Sequence, residues 1–155
     1  MDYTKEFDTA CVTNDRVKQS ELLNKHASKI CFDDIPIIQL MDACKVGNLQ
    51  HVKHILDINP NLSICGFNDG PIREACYNGH LELAKWLLMH DSRTNVFNKY
   101  GNVFKIVCLN GHLNVAKWLV SINSDIKNSE DFKFGYQNAI HNGHDDVANW
   151  LKSLA

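Results

Sequence analysis

The chain has 155 residues, 45% of them hydrophobic and 22% charged, which suits one folded domain and argues against extended disorder. Sixteen Lys and Arg stand against eighteen Asp and Glu, for a formal net charge of −2; no excess of positive charge is left to neutralise phosphates, so nucleic acid is not an expected partner. No apolar run approaches the roughly 18 residues of a membrane span, and the stretch from Met1 to Asp8 carries acids where a secretory leader needs an apolar core. The expectations are no membrane partner and a cytoplasmic location.

In chain order, the first predicted helix pair is weakly patterned. Phe7, Ala10, Cys11, Leu22 and Leu23 match Leu40, Ala43, Cys44, Ile55 and Leu56 at a step of 33, with Asn14 where a glycine follows later and Arg16 where leucine stands in later units. A polar, degenerate end unit is what an exposed end of a repeat array requires. From Leu40 onward the pattern sharpens. Asn78-Gly79-His80-Leu81, Asn110-Gly111-His112-Leu113 and Asn142-Gly143-His144-Asp145 align at a spacing of 32, and one step back lies Gly47-Asn48-Leu49. A fixed period of this size marks a repeat architecture.

Counted from each glycine, position −7 holds Leu40, Ile72, Phe104 and Tyr136; position −4 holds Ala43, Ala75, Val107 and Ala139. Position −3 holds Cys44, Cys76, Cys108 and Ile140. Beyond the glycine come Val52, Ala84, Ala116 and Ala148 at +5, then His54, Trp86, Trp118 and Trp150 at +7, and Ile55, Leu87, Leu119 and Leu151 at +8. These spacings predict two short helices per unit, each with one apolar stripe, separated by a glycine at positive φ. The polar stretches 65–70, 97–101 and 128–132 read as connecting loops, and Pro71 suits a first helical position. The whole chain reads as one all-α solenoid of about five helix–turn–helix units, near 1–33, 34–66, 67–98, 99–130 and 131–155. Neither helix of a unit is long enough to be stable alone, so stacking must bury the stripes.

The stretch from Ala75 to Leu88 resembles the ankyrin repeat's A-A-x-x-G-H-x-x-[IV]-[VA]-x-x-L-L segment, and Val107 to Val120 matches nearly as well. The Gly-His-Leu-x-x-Ala-Lys-Trp-Leu wording is similar to that of divergent ankyrin arrays in large DNA viruses of protists, which would place the chain in a host cytoplasm. Two features depart from the family: its T-P-L-H helix opening is absent, Gly70-Pro71-Ile72-Arg73 being nearest, and the period is 32 where about 33 is usual. Shorter or irregular loop fingers are the consequence.

The residues capable of chemistry read as structural. Four cysteines, Cys11, Cys44, Cys76 and Cys108, share one register position about 10 Å apart, beyond disulfide reach, and act as small hydrophobes. Cys31 and Cys65 fall outside that register. His80, His112 and His144 recur together, whereas a catalytic histidine appears once with an orienting partner; the resemblance gives them the task of bracing the turns by hydrogen bonds. His51 with His54, and His141 with His144, are spaced to catch a divalent ion but lack a third ligand. The tryptophans are expected in the core. No hydrolase, phosphate-loop or zinc-protease motif occurs, so neither enzyme nor cofactor is expected.

The expected function is binding of a partner protein, a host protein if the viral likeness holds, by a monomer. A stack of such units exposes a long concave surface, and the resemblance assigns contacts to the fingers and the positions just before each glycine. These are Asp34, Ile35, Ile37 and Lys45; Phe67, Asp69 and Tyr77; Lys99, Tyr100 and Leu109; Asp131, Lys133 and His141. Tyr77 and Leu109 form the expected centre, exposed and flanked by Arg73 and Lys105. The alternative is a structural module that associates with copies of itself.

Overall fold

The computed structural model describes residues 35–97 and 103–154. The expected first unit lies outside them. Eight α-helices follow one another among the described residues: α1 (Ile35–Val46), α2 (Leu49–Ile58), α3 (Gly66–Tyr77), α4 (Leu81–His90), α5 (Val103–Leu109), α6 (Leu113–Ile122), α7 (Glu130–His141) and α8 (Asp145–Lys152). A 3-10 turn at Ser124–Asn128 joins α6 to α7, and no strand occurs among the described residues. Each odd-numbered helix packs on the even-numbered one after it. The first helices stand in a row, α1 on α3, α3 on α5 and α5 on α7, and a second layer runs α4, α6, α8. The architecture is an all-α repeat solenoid.

The apolar spacing explains the packing. Leu40, Ile72 and Phe104 at −7, the small residues at −4, and Cys44, Cys76 and Cys108 at −3 are buried between first helices. On the second helices the buried positions are +4 (Leu83, Val115, Val147), +5 and +8. Each fully buried large aliphatic side chain contributes about 1.5–3 kcal/mol relative to exposure, which helices of this length need to persist.

The tryptophans depart from expectation. Trp86, Trp118 and Trp150 pack against the core but remain partly exposed. At 3.6 residues per turn, positions +4, +8 and +5 share an arc of about 100°, and +7 falls roughly 60° outside it. The rings therefore close the border of the core. Trp86 stacks on His90 at 4.4 Å between centroids, with the Lys53 amine 5.6 Å from its ring.

Two expected loops are partly helical. α3 takes in residues 66–70, with Asn68 (φ 56°) and Asp69 (φ 59°) in the left-handed region that short polar side chains tolerate. These two residues interrupt right-handed winding ahead of Pro71. α7 begins at Glu130, two residues into the expected loop, because the Ser129 side chain accepts the Phe132 N–H and caps it. Gly135 lets α7 approach α5 closely, since a Cβ there would lie 3.1 Å from the Cys108 sulfur and from the Phe104 ring.

Candidate protein-interaction surface

Each first helix ends in one Schellman turn. Gly47, Gly79, Gly111 and Gly143 have φ of 75°, 80°, 76° and 73°. Each glycine N–H donates to the carbonyl three residues back (Cys44, Cys76, Cys108, Ile140), and the next N–H donates to the carbonyl five residues back. That pairing leaves the carbonyl two residues before the glycine without an intrahelical donor.

The repeated histidines fill that role from the following unit. His80 Nε2 donates to the Lys45 carbonyl at 2.9 Å, His112 Nε2 to Tyr77 at 3.0 Å, and His144 Nε2 to Leu109 at 2.8 Å. The bracing runs between units, 35 residues back along the chain. The ring also lies over the preceding glycine: a Cβ at Gly79 would sit 2.7 Å from His112 Nδ1. Burial holds the His112 pKa below its usual value; the Tyr77 carbonyl opposes this, and the nearby His80 and His144 reinforce it.

Turn and brace together set the exposure of the first-helix row. Leu109 is 38% exposed, His141 is exposed, and Tyr77 is half-buried against the core. Burial pushes the Tyr77 hydroxyl pKa up to about 12. The Tyr77 carbonyl also accepts the Asn110 side-chain amide at 2.8 Å. Lys105 is half-buried on α5, 3.6 Å from the Asp131 carboxylate on α7 and 5.3 Å from the Phe134 ring. That ion pair is surface-exposed on the aspartate side and adds little stability of its own.

Several expected contacts are corrected. Arg73 is only 5% exposed. In its register Met41 and Lys105 are half-buried and Gln137 is exposed, so a long side chain within the row is covered more than one at its edge. Ile37 belongs to the core. Asp69 is buried and its carboxylate accepts the Asn95 N–H at 3.0 Å, fixing the chain after α4. Phe67 and Ile35 lie at the starts of α3 and α1; Lys133 is exposed on α7. Asp34, Lys99 and Tyr100 lie outside the described residues.

Phe134, 46% exposed, was not anticipated. Its register holds Ile38, Gly70 and Asn102 elsewhere, so no periodic signal marks it. An aromatic residue at a position without an apolar pattern was the available clue. The cysteines at −3 are free thiols within the packed helices. Burial raises the pKa of Cys44 and of Cys108 to about 12. Cys65 is half-buried, its sulfur 3.5 Å from the Asp91 carboxylate and 3.6 Å from the Thr94 hydroxyl. Among the described residues no three His, Cys, Asp or Glu side chains gather as metal ligands, and no helix is long and apolar enough to cross a membrane.

No curated protein matches the chain, which leaves the viral likeness of its wording without a relative behind it. A family model described as Ankyrin repeats (3 copies) matches residues 40–131, more than half of the sequence. With the stacked helix pairs, the chain belongs to the ankyrin-repeat family.

Proposed function

We propose that this chain binds a partner protein through its row of first helices, with Leu109, Phe134 and His141 at the centre of the contact and Tyr77 and Lys105 beside them. Ankyrin repeats are in general protein–protein interaction modules and are typically non-enzymatic. The observation that carries the reading is the exposure of Leu109 and Phe134 on neighbouring α5 and α7, with a lysine amine over the aromatic ring. Single exposed apolar residues are ordinary. An aromatic and an aliphatic anchor on adjacent elements, with a cation and a carboxylate alongside, is the make-up of an interface centre. A cytoplasmic site of action goes with this reading.

The test is affinity capture from extracts of the organism that encodes the chain, using the wild type and Leu109→Asp/Phe134→Asp. The expected result is a protein retained by the wild type and lost by the variant, whose melting temperature stays within about 2 °C because both side chains are substantially exposed. Identical captures by both proteins would place binding elsewhere.

A further inference from the structure

We propose that the outer side of the second-helix row, centred on α4, is a second docking surface, and that its occupant is an acidic amphipathic helix of a partner protein. The partner helix lays apolar side chains over Trp86, Met89 and Trp118 and sets carboxylates against Lys53 and Lys117. This surface is separate from the row of first helices.

The repeat register builds it. On each second helix, positions +3, +6 and +10 lie opposite the buried arc, and +7 lies at its edge. Position +6 holds Lys53, Lys85 and Lys117, and +7 holds His54, Trp86 and Trp118. The Lys53 amine of α2 lies 5.6 Å from the centroid of the Trp86 ring of α4, so the +6 side of one unit meets the +7 side of the next. At +10, Met89 is 85% exposed, more than any other large apolar side chain among the described residues. It stands on the crest of α4, between the unit that carries Lys53 and the one that carries Trp118. A unit packs on each side of α4, so this crest does not owe its exposure to an end of the stack.

Charge and spacing name the occupant. Lys85 is paired with Glu82 at 2.9 Å, whereas no carboxylate pairs with Lys53 or Lys117 among the described residues. Two amines beside partly exposed rings and an exposed methionine are complementary to a ligand that carries both carboxylates and apolar groups. Equivalent side chains of successive units stand about 10 Å apart, and seven residues of helix rise about 10.5 Å. One face of a helix crossing the row therefore meets Trp86 and Trp118 at i and i+7, with Lys53 and Lys117 about 14 residues apart. An extended peptide would need a strand edge for its backbone, and no strand occurs among the described residues. A flat layer of anionic headgroups would also meet the exposed Asp57 and Glu82 carboxylates, which a helix can avoid. On α8 the lysine position becomes Asn149 and +3 becomes Asp146, so the basic stripe ends at α6.

The test pans a phage-displayed library of random peptides of roughly 18 residues, long enough to span two units, on the full chain. Synthetic copies of the selected peptides are then titrated by tryptophan fluorescence. The expected peptides are net acidic, with apolar residues at i, i+3 or i+4, and i+7. Met89→Asp and the pair Lys53→Glu/Lys117→Glu should each weaken their binding at least about tenfold, as loss of an interface centre does. Met89 and Lys117 are exposed, so Met89→Asp and Lys117→Glu should each shift Tm by less than about 2 °C. Basic or patternless peptides, or binding that survives these substitutions, overturn the proposal. So do peptides lost only to Leu109→Asp/Phe134→Asp, which belong to the first-helix row and bear on that reading alone. Sedimentation with phosphatidylserine–phosphatidylcholine vesicles that Met89→Asp abolishes would make lipid the occupant and equally overturn it.

Discussion

His112 Nε2 lies 3.0 Å from the Tyr77 carbonyl, so the turn of one unit holds the helix end of the unit before it. The same ring sits over Gly79, where a side chain would collide with it. A histidine that recurs in sequence thereby becomes the fastener between units, and its neutral form is the one the fold favours.

Acid should loosen that fastener. Burial lowers the folded pKa of His112 below the ordinary 6.5, so the unfolded chain binds this proton more readily. The stabilisation is complete above pH 6.5 and is lost as pH falls from there through the folded value. Glu74, its pKa raised chiefly by burial, acts oppositely: its contribution is present below about pH 4.5 and fades as pH rises through its folded value. Comparing wild type with His112→Ala cancels Glu74. Urea melts at a series of pH values should show the wild type losing stability on acidification with a steeper slope than His112→Ala. At pH 7.5 the variant should be less stable by about 1 kcal/mol, the net worth of one hydrogen bond, because the Tyr77 carbonyl keeps the Asn110 amide. Equal slopes would show that His112 does not control the response.

Two chemically identical substitutions should differ in cost. Gly111→Ala and Gly143→Ala both place a side chain at positive φ, a backbone penalty of about 1–2 kcal/mol. At Gly111 the new Cβ would also meet His144 Nδ1 at 2.5 Å, whereas at Gly143 it meets nothing within 4 Å. Denaturant melts should therefore rank Gly111→Ala as clearly the more damaging. Equal losses would mean that the histidine gives way without cost.

Adjacent residues on α6 give a register test. Leu119 is fully buried, Trp118 borders the core, and Lys117 is exposed. Leu119→Ala should cost about 2–5 kcal/mol, Trp118→Ala less, about 1–2 kcal/mol, because its ring is only partly buried at the border of the core, and Lys117→Ala less than about 0.5 kcal/mol. A larger loss at Trp118 than at Leu119 would place the ring inside the core after all.

The buried thiols should report unfolding. Cys44, Cys76 and Cys108 have no exposed surface, and burial raises the pKa of each. Thiolate is the reactive form. Iodoacetamide at pH 8 followed by peptide mass spectrometry should find these three unmodified in the folded chain and alkylated in denaturant. Rapid labelling of Cys76 in the native state would show that α3 opens away from α1 or α5.

The repeat, the two helices per unit and the turn glycines were legible in the sequence by itself, because each is a local matter. Apolar residues at −7, −4, −3, +5 and +8 define stripes that only stacking can bury, and a glycine between two stripes marks the one backbone position that needs positive φ. What surrounds each side chain was not legible. Arg73, Lys105 and Gln137 share one register position, yet the first is covered, the second half-covered and the third exposed. Cys108 and Ile140 share another, and one is sealed while the other stands in solvent. The histidine bond spans 35 residues, a distance at which no spacing rule names the acceptor. A helix's own periodicity determines which of its faces is apolar; the neighbouring unit determines whether that face is covered, and so only the tertiary structure decided which residues remain available for binding.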